Sequence, residues 1–172
     1  MNRTGKLIAS AIFISISFLI VSCGNSIDAP PRTAQTEQNE LDNAIASIEA
    51  QGFDVDTTES GLFYVIHKEG TGPLPQAGDT CSLIYTGYFL NGVIFDSSGF
   101  YYPDSVWHFN HLEQSLIPGF NDGIGLLNKG AEADIIVPSI LAYGPNGNGN
   151  IQPYTPLFFS MIMRDLKPVT EE

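Results

Sequence analysis

The chain has 172 residues, with 7 Lys and Arg against 19 Asp and Glu and a formal net charge of −12. That length fits one domain with appendages. The acidic balance excludes nucleic acid as a partner, since binding it needs a basic footprint, and it excludes electrostatic docking on anionic lipid.

The chain opens on a targeting pattern. Arg3 and Lys6 form a basic start, and residues 7–21 are apolar residues and serines, too short and too polar for a comfortable membrane span. The run ends in Leu19-Ile20-Val21-Ser22-Cys23, which resembles the bacterial lipobox. Ser22 is small enough for a signal peptidase, and the Cys23 thiol is the group that would receive a diacylglyceryl chain, later joined by palmitate. The alternatives are a plain secretory signal and an uncleaved anchor. The expected layout is a lipoprotein signal peptide over 1–22 and a lipid-anchored flexible tether over 23–38, rich in Asn, Ser, Pro, Thr and Gln. Each buried acyl CH₂ would add ~0.8 kcal/mol to membrane anchoring. With Cys23 lipidated, Cys81 is left without a disulfide partner and is expected to be an inert buried thiol.

Residues 37–51 carry a helical pattern, with Leu41, Ala44, Ile45 and Ile48 at i, i+3, i+4, i+7 and Gly52 at the stop. An N-terminal helix and its connector are therefore assigned to 39–59. From Ser60 the period changes to two. Residues 62–67 read as a strand, and 81–98 read as a hairpin. In the hairpin Cys81, Leu83, Tyr85, Gly87 and Phe89 share one face, and Asn91-Gly92 is expected to form a type I′ turn. Asp96 follows apolar strand positions. It either begins a solvated Asp-Ser-Ser turn or sits with Tyr85 and Phe95 at a site, where it would need hydrogen-bond partners. Residues 106–109 form a short strand with Trp107 and Phe109 on one face. Pro118 opens a short helix whose Phe120, Ile124 and Leu127 face the sheet. Gly123 and Gly125 weaken that helix by roughly 1 kcal/mol each, so packing must hold it. Residues 131–137 and 157–163 alternate again. The expected fold is α+β: a five-stranded antiparallel half-barrel sheet wrapped around one short helix, preceded by the N-terminal helix.

Familiar catalytic constellations are missing. There is no Gly-x-Ser-x-Gly, and His67, His108 and His111 are too scattered for a zinc signature, so neither metal nor cofactor is expected. The glycine-rich loop 143–150 has no Lys and no following helix. It reads as a mobile flap rather than a phosphate cradle.

Taken together, residues 60–168 resemble an FKBP-type peptidyl-prolyl cis-trans isomerase. Landmarks in family order are Glu69-Gly70-Thr71-Gly72, Gly78-Asp79-Thr80, Tyr85-Thr86-Gly87-Tyr88 and Asn91-Gly92-Val93-Ile94-Phe95-Asp96-Ser97-Ser98. Leu116-Ile117-Pro118-Gly119-Phe120, Val137-Pro138, Leu141-Ala142-Tyr143-Gly144 and Ile151-Gln152-Pro153 complete the series. With the lipobox, the whole resembles lipid-anchored FKBPs of bacterial envelopes. The resemblance implies an aromatic box for a proline ring. Tyr85, Phe95, Asp96, Tyr143 and Phe159 match its catalytic group, and Trp107, Leu116, Ile117, Phe120 and Ile151 match its substrate-binding group. Tyr143 would offer its hydroxyl, and Ile117 its backbone N–H, to substrate carbonyls. The implied partners are proline-containing polypeptides, together with the membrane through the N-terminal lipid, and macrolide inhibitors.

Departures from the family pattern shape these expectations. Phe120 stands where the floor is usually Trp, so the pocket should be larger and macrolide affinity weakened more than turnover. Asn150 takes an aliphatic flap position, and Ser115 stands where Glu is common. The loop between Asp96 and Trp107 is longer than usual and lacks the Arg that often pairs with the aspartate. The reading is an isomerase assisting exported proteins at the envelope, on the outer membrane facing the periplasm. One alternative is a proline-peptide-binding lipoprotein with little turnover. Another is a surface adhesin or nutrient-binding lipoprotein using Phe100-Tyr101-Tyr102.

Overall fold

The computed structural model describes residues 31–169. The expected signal peptide, the lipidation of Cys23 and the tether up to residue 30 lie outside the described residues. Helix α1, Ala34–Glu49, starts earlier than its apolar spacing predicts. The Thr33 hydroxyl accepts from the Thr36 N–H while Thr36 Oγ1 accepts from the Thr33 N–H, which closes a capping box. That first turn carries no apolar stripe, so periodicity alone places the start too late. Leu41 is buried, and Ala44, Ile45 and Ile48 are half-buried beside it.

Seven strands form one antiparallel sheet: β1 (Asp56–Thr57), β2 (Phe63–Lys68), β3 (Thr80–Phe89), β4 (Ile94–Ser97), β5 (Trp107–Asn110), β6 (Glu132–Val137) and β7 (Leu157–Lys167). Their order is β1-β2-β6-β7-β3-β4, with β5 also on β3. This exceeds the five strands expected, in part because two-residue β1 is too short to show alternation. The strand β3 organises the sheet. One edge pairs with β7 along its whole length, while the other pairs with β5 at residues 80–83 and with β4 at 86–88.

The partner changes at Tyr85, where neither β4 nor β5 supplies a backbone bond. Two serines fill the gap. The Tyr85 N–H donates to Ser98 Oγ at 3.1 Å, and Tyr85 O accepts from Ser97 Oγ and Ser98 Oγ at 3.2 and 3.3 Å. Ser98 is fully buried, so Asp96-Ser97-Ser98 is not the solvated turn that is one reading of its composition. The hairpin turn also differs from the expected type I′. Gly92 has φ 84°, whereas Asn91 does not enter the left-handed region. The Gly92 N–H donates to Phe89 O, and the Phe89 N–H to Val93 O. That is the three-residue loop with glycine in its left-handed position.

Helix α2, Pro118–Gly125, begins on Pro118 as expected and buries Phe120 and Ile124. Gly123 is there for space rather than flexibility: a Cβ would lie 2.5 Å from Ile135 Cδ1. The helix-weakening residue therefore lets α2 settle closely on the sheet. Leu83, Ile135, Met161, Met163 and Ile124 form a core with no measurable exposure. Ile136 and Phe158, one residue out of phase with Ile135 and Phe159, point to the opposite face, beneath α1.

Candidate active site

A cavity of about 860 Å³ opens between α2, β3, β4 and the loops that follow β4 and β6. A second concavity of about 800 Å³ runs between α1 and the other face of the sheet. The two are similar in size but not in chemistry. The α1 groove has apolar residues among Glu40, Asn43, Ser47 and Asp134. The first cavity gathers aromatic rings beside a single carboxylate, with Gln114, Ser115 and Asn148 also at its border.

Its floor is Phe120, buried at the start of α2. Phe120 meets Tyr85 edge-on at 5.2 Å and Phe159 at 4.9 Å between ring centroids. Phe95 meets Phe159 at 5.5 Å, and Trp107 lies 6.0 Å from Tyr85. Edge-to-face contacts at these distances add stability beyond area burial and keep the rings upright. Trp107 is itself stacked on Phe109 at 4.0 Å, which fixes its plane. The walls can come this close because β3 has Gly87 between them. A Cβ there would lie 2.8 Å from the Phe95 ring and 2.9 Å from the Phe159 ring.

Asp96 sits at the lip. The Tyr85 hydroxyl donates to Asp96 Oδ2 at 3.0 Å, and the Ser97 N–H donates to Oδ1 at 2.9 Å. Tyr101 borders the cavity as well. With no Arg in the loop between Asp96 and Trp107, Asp96 is oriented by the Tyr85 hydroxyl and the Ser97 N–H. Burial first, then the Asp96 charge and hydrogen bond, raise the Tyr85 pKa well above the ordinary phenol. The Asp96 charge does the same at exposed Tyr101, and burial followed by Asp96 does so at Tyr143. All three are phenols, not phenolates, at neutral pH.

Leu116 and Ile117 lead into α2 and border the cavity with Tyr143. Ile117 is the helix N-cap, in extended geometry, and its carbonyl accepts from Phe120 and Asn121. Among the described residues its N–H has no hydrogen-bond acceptor, and the Tyr143 hydroxyl has no partner. Two donors thus border the aromatic slot without a partner among the described residues.

Ile151 does not line the cavity. Its backbone is bridged to Asn148 in both directions, and its side chain packs against the core. Asn148, across that bridge, borders the cavity instead. Gln114, Ser115, Tyr102 and Ala142 also border it. Of these additions Tyr101 had a signal in the sequence: a carboxylate needing donors close to a run of three aromatics. Asn148 had none, because its place depends on a turn that spacing does not reveal.

Cys81 faces the core, where burial and then the nearby Asp79 charge push its thiol up to about 11. His67, His108 and His111 stay apart, and no group of three or more His, Cys, Asp and Glu suited to a metal occurs among the described residues. The site offers a binding slot: aromatic walls, two donors without a partner among the described residues, and a carboxylate held by the Tyr85 hydroxyl.

Comparison with known proteins agrees with that geometry. A probable FKBP-type peptidyl-prolyl cis-trans isomerase of Haemophilus influenzae is 35% identical over 127 residues, covering 72% of this chain and 50% of that one. The outer membrane protein MIP of Legionella longbeachae is 33% identical over 109 residues, covering 63% of this chain and 45% of that one. This chain therefore spans half or less of the length of these relatives. The crystal structure of a peptidyl-prolyl cis-trans isomerase from Pseudomonas syringae pv. tomato superposes with a TM-score of 0.65 at 26% identity, covering 81% of this chain and all of that one. A family model for FKBP-type peptidyl-prolyl cis-trans isomerase matches residues 72–163, a segment that runs from just before β3 into β7 and contains every wall of the slot. The chain belongs to the FKBP-type peptidyl-prolyl cis-trans isomerase family.

Proposed function

We propose that this chain accelerates cis–trans rotation about X–Pro bonds in exported polypeptides, held at the bacterial envelope by lipid on Cys23. The observation that carries the isomerase reading is the slot itself: five aromatic rings around a space fit for a pyrrolidine, with the Tyr143 hydroxyl and the Ile117 N–H unused at its border.

The physics needs no more than this. Rotation about a peptide bond costs ~18–20 kcal/mol because resonance is lost when the amide twists. The twisted amide has less charge separated between O and N than the planar one. A dry aromatic slot therefore disfavours the planar form relative to the twisted form. Donors at the border assist only where they bind the rotated carbonyl better than the planar one. Tyr143 and Ile117 would take that role, while Asp96 accepts from the Tyr85 hydroxyl and orients it. Phe120 as floor leaves a wider slot than an indole would, so macrolide binding should be weakened.

The envelope part of the proposal rests on the basic start, the apolar run and the Ser22-Cys23 pair. The naming of a relative as an outer membrane protein supports it. A protease-coupled assay on a proline tetrapeptide tests the activity. Catalysis well above the uncatalysed rate, abolished in Phe159→Ala, is the expected result; binding without turnover would favour a proline-peptide-binding lipoprotein. Palmitate labelling of cells tests the anchor: label on the wild type and none on Cys23→Ala is expected.

A further inference from the structure

We propose that Arg32, Glu37 and Glu40 are positioning residues for the isomerase site, clamping both ends of the loop that carries Tyr143. The inference rests on the isomerase reading above and extends it to a segment outside the matched residues 72–163. The loop between β6 and β7 brings Ala142, Tyr143 and Asn148 to the cavity.

At the loop's start, Glu37 accepts from both the Ser139 N–H at 2.5 Å and the Ser139 hydroxyl at 2.6 Å. Ser139 opens the short helical turn Ser139–Leu141 that delivers Ala142 and Tyr143. Glu37 is 9% exposed, and a carboxylate taken from water to that extent is costly without such donors. At the loop's far end, Arg32 donates from Nε to Pro153 O at 3.2 Å and from Nη2 to Tyr154 O at 2.9 Å. Glu40 holds the guanidinium for that task, accepting from Nη1 at 2.9 Å and pairing with Nη2.

Tyr154 needs a support of this kind. Its φ is +52°, a conformation that is costly for a residue with a side chain. Its N–H donates to Gly144 O at 3.0 Å, directly beside Tyr143. Leu141, Ala142, Tyr143 and Ile151 pack against the core, but the stretch 145–150 between them is exposed apart from Gly147. These polar attachments brace the loop on either side of that stretch, and both come from one segment at the start of α1.

The test uses the full chain, with two readouts. The first is hydrogen exchange at the Ala142 and Tyr154 amides, which donate to Ser139 O and Gly144 O. The second is the separation of KM from kcat on a proline peptide. Arg32→Ala and Glu37→Ala should each speed exchange at these amides and raise KM about three- to ten-fold. Arg32→Lys, which cannot fork, should not restore the wild type. Glu37→Gln, which keeps an acceptor for the Ser139 N–H, should restore part of it. Gln38→Ala, exposed on the same turn, gives the baseline. Unchanged loop exchange and unchanged KM in Arg32→Ala and Glu37→Ala would overturn the proposal, as would a lowered melting temperature alone. If Glu37→Ala fails to fold, Arg32→Ala decides. If the wild type shows no turnover, the isomerase reading fails while exchange still decides whether the clamp exists.

Discussion

Phe120 and Phe159 reach the cavity from inside regular elements, whereas Tyr101, Tyr143 and Asn148 reach it from connections. The first pair is placed by packing: α2 settles on Ile135 across Gly123, and β7 is paired on both edges. The second group sits in segments braced by single polar contacts, such as the Glu37 carboxylate on Ser139. Floor substitutions should therefore cost stability and activity together. Rim substitutions should cost activity alone.

The largest effect should come from Phe159→Ala. It removes a buried ring that touches Tyr85, Phe95 and Phe120, and should destabilise the fold by about 3–5 kcal/mol in urea unfolding while abolishing turnover. Gly87→Ala probes the same walls by addition. The new methyl must push Phe95 and Phe159, at a cost of about 1–3 kcal/mol, and kcat/KM should fall more steeply than stability does. A third variant moves to the rim. Tyr143→Phe loses a hydroxyl with no partner among the described residues, so the melting temperature should hold while kcat/KM falls about three- to ten-fold. If the melting temperature drops as well, the division between floor and rim is wrong at that residue.

The smallest effect concerns pH. The Cys81 thiol is raised from 9.0 to about 11, so the native chain holds that proton more tightly than the unfolded chain does. Its stabilising contribution is complete below pH 9.0 and is lost as pH rises through about 11. Urea unfolding across that window should show the wild type losing stability relative to Cys81→Ala. The native thiol should also resist alkylation at pH 8.

The same division decided what could be read from the sequence. Period-two patterns and Gly-Pro punctuation place β2, β3, β6, β7 and α2, and with them Tyr85, Phe120 and Phe159. Local patterns carry that information because each of these elements buries one face. Ser97 and Ser98 were opaque, since their task is to bond the backbone of Tyr85, twelve or thirteen residues away. The helix start at Ala34 was hidden by a polar first turn, and the backbone bridge that sets Asn148 against Ile151 leaves no mark in residue spacing. The attachment of Arg32 to Pro153 and Tyr154 spans more than a hundred residues and leaves no periodic trace.

The central claim is that the aromatic cavity, and not the groove beneath α1, receives proline. Titrating an isotope-labelled chain with a proline tetrapeptide tests it directly by nuclear magnetic resonance. The account predicts the largest shifts at the Ile117 amide, the Trp107 indole and the rings of Tyr85 and Phe159, with faster cis–trans exchange in the peptide. Shifts centred on Ala44, Ile48, Tyr88 and Phe158, with that quartet of cavity residues silent, would contradict it.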